Sequence, residues 1–261
     1  MMTLDIGESI GGLEPICLDE LLQRAALQQR MDRKYLLPMA ELDPLLHELA
    51  PDARILQIDG RRAFDYESVY FDTPEFTSYL LAARRRSRRF KIRTRTYVDS
   101  AECWLEVKTR DQRGNTVKYR REHDGELAAE LTPDGRQFTD MVVTDAAIAD
   151  AAEMAFAPTL VTSYRRSTLY LPETDSRVTI DTDLHWTLDN GRGISLPDLV
   201  IVETKSASQI SRADRLLWRG GRRPSLISKY GTGLAALRPE LPSNKWHRIL
   251  RTHFAVSDGS N

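Results

Sequence analysis

Apolar and polar residues alternate along much of the chain, and the period of the alternation predicts the secondary structure. A period of two with Val, Ile, Thr and Tyr enriched predicts strands at Arg30–Leu37, Arg54–Ile58, Glu67–Asp72, Arg88–Tyr97, Cys103–Thr109, Thr116–Glu122, Thr159–Leu171, Arg177–Thr187, Asp198–Lys205 and Leu226–Ser228. Helical spacing of apolar residues predicts helices from Leu18 to Ala25, Met39 to Leu49, Pro74 to Arg86, Met141 to Ala155 and Arg212 to Trp218. The prevalence of strands with interspersed helices predicts an α+β fold.

Several predicted strands carry charged residues on one face instead of the mixed polar residues of an ordinary solvent face. Lys91, Arg93 and Arg95 alternate with Phe90 and Ile92, and like charges on one face repel each other unless an anion neutralises them. One interpretation is a half-buried sheet that turns this face to water. The other is a closed antiparallel β-barrel with helices packed outside and a wet, charged lumen. Arg suits phosphate in such a lumen because it forms bidentate hydrogen bonds.

The distribution of charge along the chain also indicates that an anion binds at one place. The 261 residues include 37 basic and 38 acidic residues, for a net charge of −1, which argues against a general nucleic-acid coat protein. From Arg84 to Arg121, however, there are fourteen basic and four acidic residues. The partner is therefore expected to be a compact anion that binds at one place, and we expect no nucleic acid.

The remaining features indicate a single intracellular domain. No linker composition interrupts the chain, so we predict one domain over residues 1–261, with a core at about 18–238 and a C-terminal tail at 239–261. Cys17 and Cys103 are too few for a disulfide framework. The N-terminus does not resemble a signal peptide, and no apolar stretch is long enough to span a membrane. We therefore expect a cytoplasmic location.

Nine short motifs occur in an order that identifies a family. They are Arg30-Met-Asp32-Arg-Lys34-Tyr35, Val69-Tyr-Phe-Asp72-Thr-Pro74, Lys91-Ile-Arg93-Thr-Arg95-Thr-Tyr97, Leu105-Glu106-Val-Lys108, Val117-Lys118-Tyr-Arg120, Tyr164-Arg165-Arg166, Ile180-Asp181-Thr-Asp183-Leu184, Val202-Glu203-Thr-Lys205 and Ser228-Lys229-Tyr-Gly231. Together they resemble the VTC domain, the polyphosphate polymerase module of the CYTH-like triphosphate tunnel metalloenzyme superfamily.

The resemblance implies a set of site residues and a reaction. The basic residues implied to line the tunnel and bind phosphates are Lys34, Arg93, Arg95, Lys108, Lys118, Arg166, Arg177 and Lys229. Glu203 resembles the carboxylate that binds a divalent metal, Mn²⁺ or Mg²⁺; the alternative is that Glu203 forms an ion pair with Lys205 or Arg177. Tyr164 resembles an aromatic residue whose hydroxyl reaches a phosphate, and Glu106 resembles a second acid on the wall. In the family, ATP donates its γ-phosphate to a growing polyphosphate chain.

Departures from the superfamily pattern keep other functions open. Many members begin the barrel with Glu-x-Glu-x-Lys, whereas this chain has Arg30-x-Asp32-x-Lys34, which resembles VTC members more than triphosphatases. The alternatives are a metal-dependent hydrolase of triphosphate or nucleoside triphosphates and a non-catalytic polyphosphate-binding module. The membrane helices of transporter-type members are not found, so export coupled to synthesis would require a separate membrane partner. The oligomeric state is not predicted.

Overall fold

The computed structural model describes residues 6–24, 31–148, 151–207 and 210–254. The strands are β1 (Glu14–Ile16), β2 (Met31–Pro38), β3 (Arg54–Leu56), β4 (Phe64–Asp72), β5 (Arg89–Tyr97), β6 (Glu102–Arg110), β7 (Thr116–His123), β8 (Ala157–Leu171), β9 (Ser176–Thr187), β10 (Gly193–Leu196) and β11 (Leu199–Ser206). The helices are α1 (Ile6–Gly11), α2 (Leu18–Arg24), α3 (Leu42–Leu49), α4 (Thr77–Ala83), α5 (Pro133–Asp145), α6 (Arg212–Arg219), α7 (Lys229–Leu237) and α8 (His247–His253). Arg30, predicted to begin a strand, lies outside the described residues.

The chain divides into two compact units. The first contains residues 1–65, 164–184 and 196–226, and the second contains residues 66–163, 185–195 and 227–261. The organisation as a single domain with a core at 18–238 and a tail at 239–261 stays a prediction, and residues 255–261 of that tail lie outside the described part of the chain.

The first unit is built on mainly antiparallel strands with one apolar face; β1 and β3 pair in parallel. β11 lies between β2 and β9, with β8 beside β9, and β3 pairs with β8 and with β1. Tyr35, Ile180 and Val202 point from the strands into a core completed by Leu45 of α3 and Leu217 of α6. Because side chains alternate across a strand, the residues between these apolar ones lie on the opposite face.

The second unit contains the antiparallel order β4-β5-β6-β7. Ile92 of β5 and Val107 of β6 lie on its apolar face and pack against Val142 and Val143 of α5. This helix begins well before the predicted start at Met141, because Thr132 caps it by accepting a hydrogen bond from Gly135 N at 3.1 Å and proline is favoured in the first turn.

Other local predictions were wrong where a tertiary contact decides the backbone. Leu226–Ser228 is not a strand. The helix predicted to begin at Pro74 begins at Thr77, after Phe76 adopts a left-handed φ of 57°. Its first amides are satisfied by the buried carboxylate of Asp72, to which Ser78 N and Tyr79 N donate hydrogen bonds at 2.8 and 2.9 Å.

The α+β class with a large, mainly antiparallel sheet is confirmed, whereas the closed barrel is not. Within the described residues, hydrogen-bonded pairing ends at β2 in the first unit and at β7 in the second, so the strands do not form a closed ring. Every residue of β7 except His123 is exposed, as expected for a terminal strand whose outer edge lacks a neighbour.

Candidate functional site

A row of lysines crosses the polar face of the second unit. Lys91 on β5 lies directly opposite Lys108 on β6, and Lys108 lies opposite Lys118 on β7. In the next row, Arg93 is opposite Glu106, which is opposite Arg120. Like charges at directly opposed positions destabilise a sheet. The lysine row therefore has the composition expected of an anion-binding surface, although Lys118 also pairs with Glu106 of the neighbouring row.

Glu106 is the buried counter-charge of this cationic face. Its side chain is 4% exposed and accepts hydrogen bonds from Arg93 Nε at 2.8 Å and from Lys118 Nζ at 2.9 Å. Burial alone would raise the pKa of Glu106, but the charges of Arg93, Arg95 and Lys118 lower that pKa well below its usual range. Glu106 is therefore ionised at neutral pH and fixes Arg93, which also donates to Tyr70 Oη at 3.2 Å.

Two other cations on this face, Arg95 and Arg120, contact aromatic rings. Arg95 Nε is buried and has no hydrogen-bond partner among the described residues, although its guanidinium lies 5.7 Å from the ring centroid of Tyr66. Arg120 lies 4.5 Å from the ring centroid of Trp104. Such aromatic contacts orient a guanidinium without neutralising its charge. Both residues therefore retain charge that a phosphate could neutralise.

The first unit presents a polar face with alternating charges. Lys34 on β2 lies opposite Glu203 on β11, while Asp32 lies opposite Lys205, and Lys205 lies opposite Arg177 on β9. Opposite charges at directly opposed positions stabilise an antiparallel pair. This face is therefore more nearly charge-balanced than the cationic face of the second unit.

A buried carboxylate on the apolar side holds β2 in the orientation that gives Lys34 its position. Asp214 of α6 accepts hydrogen bonds from Tyr35 Oη at 2.7 Å, from Thr204 Oγ1 at 2.7 Å and from Arg33 Nη1 at 3.1 Å. Because Arg33 and Tyr35 point towards α6, Lys34 between them lies on the polar face.

Glu203 is the central acid of the polar face in the first unit. Lys205 Nζ donates a hydrogen bond to its carboxylate, and only 15% of the Glu203 side chain is exposed. Burial alone would raise the pKa of Glu203, but the charges of Lys34, Lys205 and Arg166 lower it well below its usual range. Burial lowers the pKa of Lys205 to about 8, although Glu203 and Asp32 oppose this effect.

Arg166 forms the other strong contact on this face. Its guanidinium donates to both carboxylate oxygens of Asp181, at 2.6 and 2.8 Å, and Asp181 is almost fully buried. The same guanidinium lies 5.1 Å from the ring centroid of Tyr164. Asp181 therefore holds Arg166 in a fixed orientation next to an aromatic ring.

The predicted site residues fall into two groups, each within one unit. The first unit contains Lys34, Tyr164, Arg166, Arg177 and Glu203, and the second contains Arg93, Arg95, Lys108, Lys118 and Lys229. Lys229 differs from the others because it begins α7 instead of lying on a strand, and its carbonyl accepts a hydrogen bond from Trp186 Nε1 at 2.8 Å.

The Ser-Lys-Tyr-Gly motif around Lys229 has a structural role that the sequence did not reveal. Ser228 caps α7 by accepting from Gly231 N at 3.2 Å. Tyr230 Oη donates to Asp72 Oδ2 at 2.5 Å. The motif therefore anchors α7 to the turn that follows β4.

Three further residues on the polar faces were not predicted as site residues. Lys91 and Arg120 share the cationic face with Arg93, and Lys205 is the direct partner of Glu203. Alternation with period two could have identified all three, because each lies two residues from a predicted site residue on the same strand.

The carboxylates of the first unit fit a divalent metal only if phosphate supplies further ligands. Glu203 is ionised and offers oxygen, the donor that Mg²⁺ and Mn²⁺ prefer. Both carboxylate oxygens of Asp181 accept hydrogen bonds from Arg166. No group of three potential metal ligands occurs within the described ranges. Because Mg²⁺ often binds through one carboxylate plus substrate phosphates, this donor set fits a metal–phosphate complex but not a cage made by protein alone.

Solved structures with a related fold were found, whereas the search of curated proteins gave no match. A candidate adenylyl cyclase from Hippeastrum that has a dominant triphosphatase activity is 18% identical, with a TM-score of 0.50, over 83% of this chain and 99% of that one. A candidate adenylate cyclase from Bacillus halodurans is 13% identical, with a TM-score of 0.47, over 74% and 87% of the two chains. At this level of identity the Hippeastrum protein supports the fold alone.

No helix in the described part of the chain is long and apolar enough to cross a membrane.

The VTC domain matches residues 29–238, which is most of the chain and includes both groups of charged residues. This match confirms the resemblance seen in the ordered motifs, and the chain belongs to the VTC domain family.

Proposed function

We propose that this chain is a polyphosphate polymerase that transfers the γ-phosphate of ATP to a growing polyphosphate chain. The observation that carries the proposal is the cationic face of the second unit in a VTC family member, above all the row Lys91, Lys108 and Lys118. Phosphoryl transfer requires little covalent participation by the protein. It requires that the phosphates be positioned and that the charge on their oxygens be neutralised.

Each predicted residue has a role in this proposal. Arg93, Arg95, Lys108, Lys118, Lys34, Arg166, Arg177 and Lys229 bind phosphate oxygens, and the Tyr164 hydroxyl donates a hydrogen bond to a phosphate. Glu203 holds Mn²⁺ or Mg²⁺, which when bound supplies positive charge to the phosphate oxygens. Lys205 donates to Oε1 of Glu203, so Oε2 is the oxygen proposed to bind the metal. Closure of the sheet into a tunnel, the cytoplasmic location and a separate membrane partner stay predictions.

A second candidate is a metal-dependent hydrolase of triphosphate or nucleoside triphosphates. The Hippeastrum protein, which has a similar fold, has a dominant triphosphatase activity. The two reactions differ in the acceptor of the phosphoryl group, which is the end of a phosphate chain in one and water in the other. The products of turnover therefore distinguish the two candidates.

The test is to incubate the purified protein with ATP and Mn²⁺, separate the products on a gel stained for polyphosphate, and measure ADP. We expect a polyphosphate ladder with a matching amount of ADP. Phosphate release without a ladder would support the hydrolase, and triphosphate binding without turnover would support a non-catalytic binding module.

Two substitutions connect the activity to the proposed site. Glu203→Gln and Arg93→Ala should each lower turnover on the order of a hundredfold or more, as losses of electrostatic catalytic groups do. Arg192→Ala serves as the control, because Arg192 is exposed in a loop. Full activity in both site variants would exclude the assigned roles of Glu203 and Arg93.

A further inference from the structure

Four basic residues converge around the C-terminal end of α4, beyond the residues assigned above. Arg89 and Arg110 are direct partners across β5 and β6. Lys245 Nζ donates a hydrogen bond to Ala82 O at 2.9 Å, and Arg85 N donates to the same carbonyl at 3.2 Å. We call Arg85, Arg89, Arg110 and Lys245 the α4-end cluster; all four belong to the second unit.

The backbone at Arg85 is unusual for an arginine. Arg85 has φ of +56°, and Arg86 N donates to Leu81 O at 2.9 Å. Together with the bond from Arg85 N to Ala82 O, this is the pattern of a Schellman helix end, in which the left-handed position is usually glycine. A side chain at such a position is disfavoured, and strained positions of this kind occur frequently at functional sites.

The positive charge of the α4-end cluster is not balanced by acids. In the described part of the chain, no carboxylate forms an ion pair with any of its four members, and the charges that act on Lys245 are those of Arg89, Arg85 and Arg110. Burial, and after it these three charges, lower the pKa of Lys245 to about 8. The end of α4 offers carbonyl groups and about half a negative charge, which is less than four cations require.

The cluster continues the cationic face. Arg89 lies two residues before Lys91 on β5 and therefore on the same side of the sheet as Lys91, Arg93 and Arg95. The seven residues from Arg89 to Arg95 span about 20 Å, which is six steps at the rise of a β-strand. Such a strip of positive charge is longer than a single triphosphate group.

We propose that the α4-end cluster is a second anion site that holds an inorganic polyphosphate chain beyond the part bound at Lys91, Lys108 and Lys118. This inference rests on the proposed function for the identity of its ligand. Arg85 and Lys245 provide the outer contacts, and Arg89 and Arg110 connect them to the cationic face. The cluster accordingly discriminates long chains from triphosphate, which is too short to engage both sets of cations.

The test compares two probes, inorganic triphosphate and long-chain inorganic polyphosphate, by titration calorimetry at constant ionic strength. The variant carries Arg85→Gly and Lys245→Gln. Its control carries Arg192→Ala and Arg251→Ala, which remove the same charge from two exposed positions of the same unit. We expect the variant to bind long-chain polyphosphate about tenfold more weakly or worse, as for the loss of two charge-assisted contacts. Its affinity for triphosphate, and both affinities of the control, should not change.

Arg85→Gly by itself separates a binding role from a structural one. Glycine is favoured at a left-handed helix end, so this variant should melt at a higher temperature than the wild type while binding long-chain polyphosphate more weakly. Higher stability with weaker binding supports the site.

Each other outcome would overturn the inference. Equal losses for both probes would place the cluster within the triphosphate site, and equal losses in the control would mean unspecific attraction by net charge. If the wild type binds triphosphate and the variant binds long-chain polyphosphate as tightly as the wild type does, the second site alone is refuted. A wild type that binds neither probe refutes the proposed function and this inference with it.

Discussion

The buried carboxylate of Glu106 allows the energetics of the cationic face to be tested directly. Glu106→Gln keeps the shape of the side chain but removes its charge, so that Arg93, whose side chain is 15% exposed, loses its buried counter-ion. Breaking a buried pair in this way costs about 3–5 kcal/mol. Because Arg93 retains some access to water, we expect about 3 kcal/mol. Lys118 is 46% exposed and adds little, since water screens its charge.

The assay is thermal unfolding monitored by circular dichroism. For a chain of this size, a loss of about 3 kcal/mol corresponds to a melting temperature lower by roughly 6–12 °C. Glu122→Gln is the matched control, because Glu122 lies on the same face but is exposed, and it should change stability by less than about 0.5 kcal/mol. If Glu106→Gln melts together with this control, Arg93 does not depend on Glu106 and the reasoning is refuted.

The pH dependence of the same variant provides a second check. The pKa of Glu106 is lowered in the folded protein, so its contribution is fully present above the unfolded value of about 4.3 and is lost as the pH falls towards the folded value. The difference in stability between wild type and Glu106→Gln should therefore be constant from neutral pH to about 5 and shrink below about 4. A difference that instead grows as the pH falls would contradict the assignment.

The remaining predictions concern packing and buried polar contacts, each measured by denaturant unfolding. A Cβ at Gly233 would lie 2.1 Å from Trp186 Cδ1, so Gly233→Ala should cost about 1–3 kcal/mol through overpacking; an unchanged midpoint would mean that Trp186 moves freely. Tyr230→Phe removes a donor from buried Asp72 and should cost about 1–3 kcal/mol; no loss would imply that Asp72 finds another donor. Asp214→Ala leaves several buried donors without an acceptor and should cost about 3–5 kcal/mol, so a stable variant would argue against this contact network.

Local periodicity anticipated much of the fold and the composition of the site. The alternation in Phe90–Arg95 assigned Lys91, Arg93 and Arg95 to one face, and the apolar partners of these residues do lie in the core. The ordered motifs by themselves indicate the VTC family, which the family match confirms. These features depend on neighbours in sequence, whose side chains a strand directs to alternate faces.

Other features were decided only by contacts between residues far apart in the chain. The start of α4 depends on Asp72 and Phe76, and Asp72 in turn bonds Tyr230, 158 residues away. The sequence left open whether Glu203 binds a metal or pairs with Lys205 or Arg177, and the structure pairs it with Lys205. The order of the motifs alone does not say that the Ser-Lys-Tyr-Gly motif would anchor a helix.

The sequence by itself therefore determined the family, the mainly antiparallel α+β class and the faces on which the charged residues lie. Only the tertiary structure decided which charges pair: Glu106 with Arg93 and Lys118, Glu203 with Lys205, and Asp181 with Arg166. It also brought Lys245 to Ala82 at the end of α4. The physical reason is that side-chain direction follows from local backbone geometry, whereas pairing depends on strand register and helix docking, which are set by non-local packing.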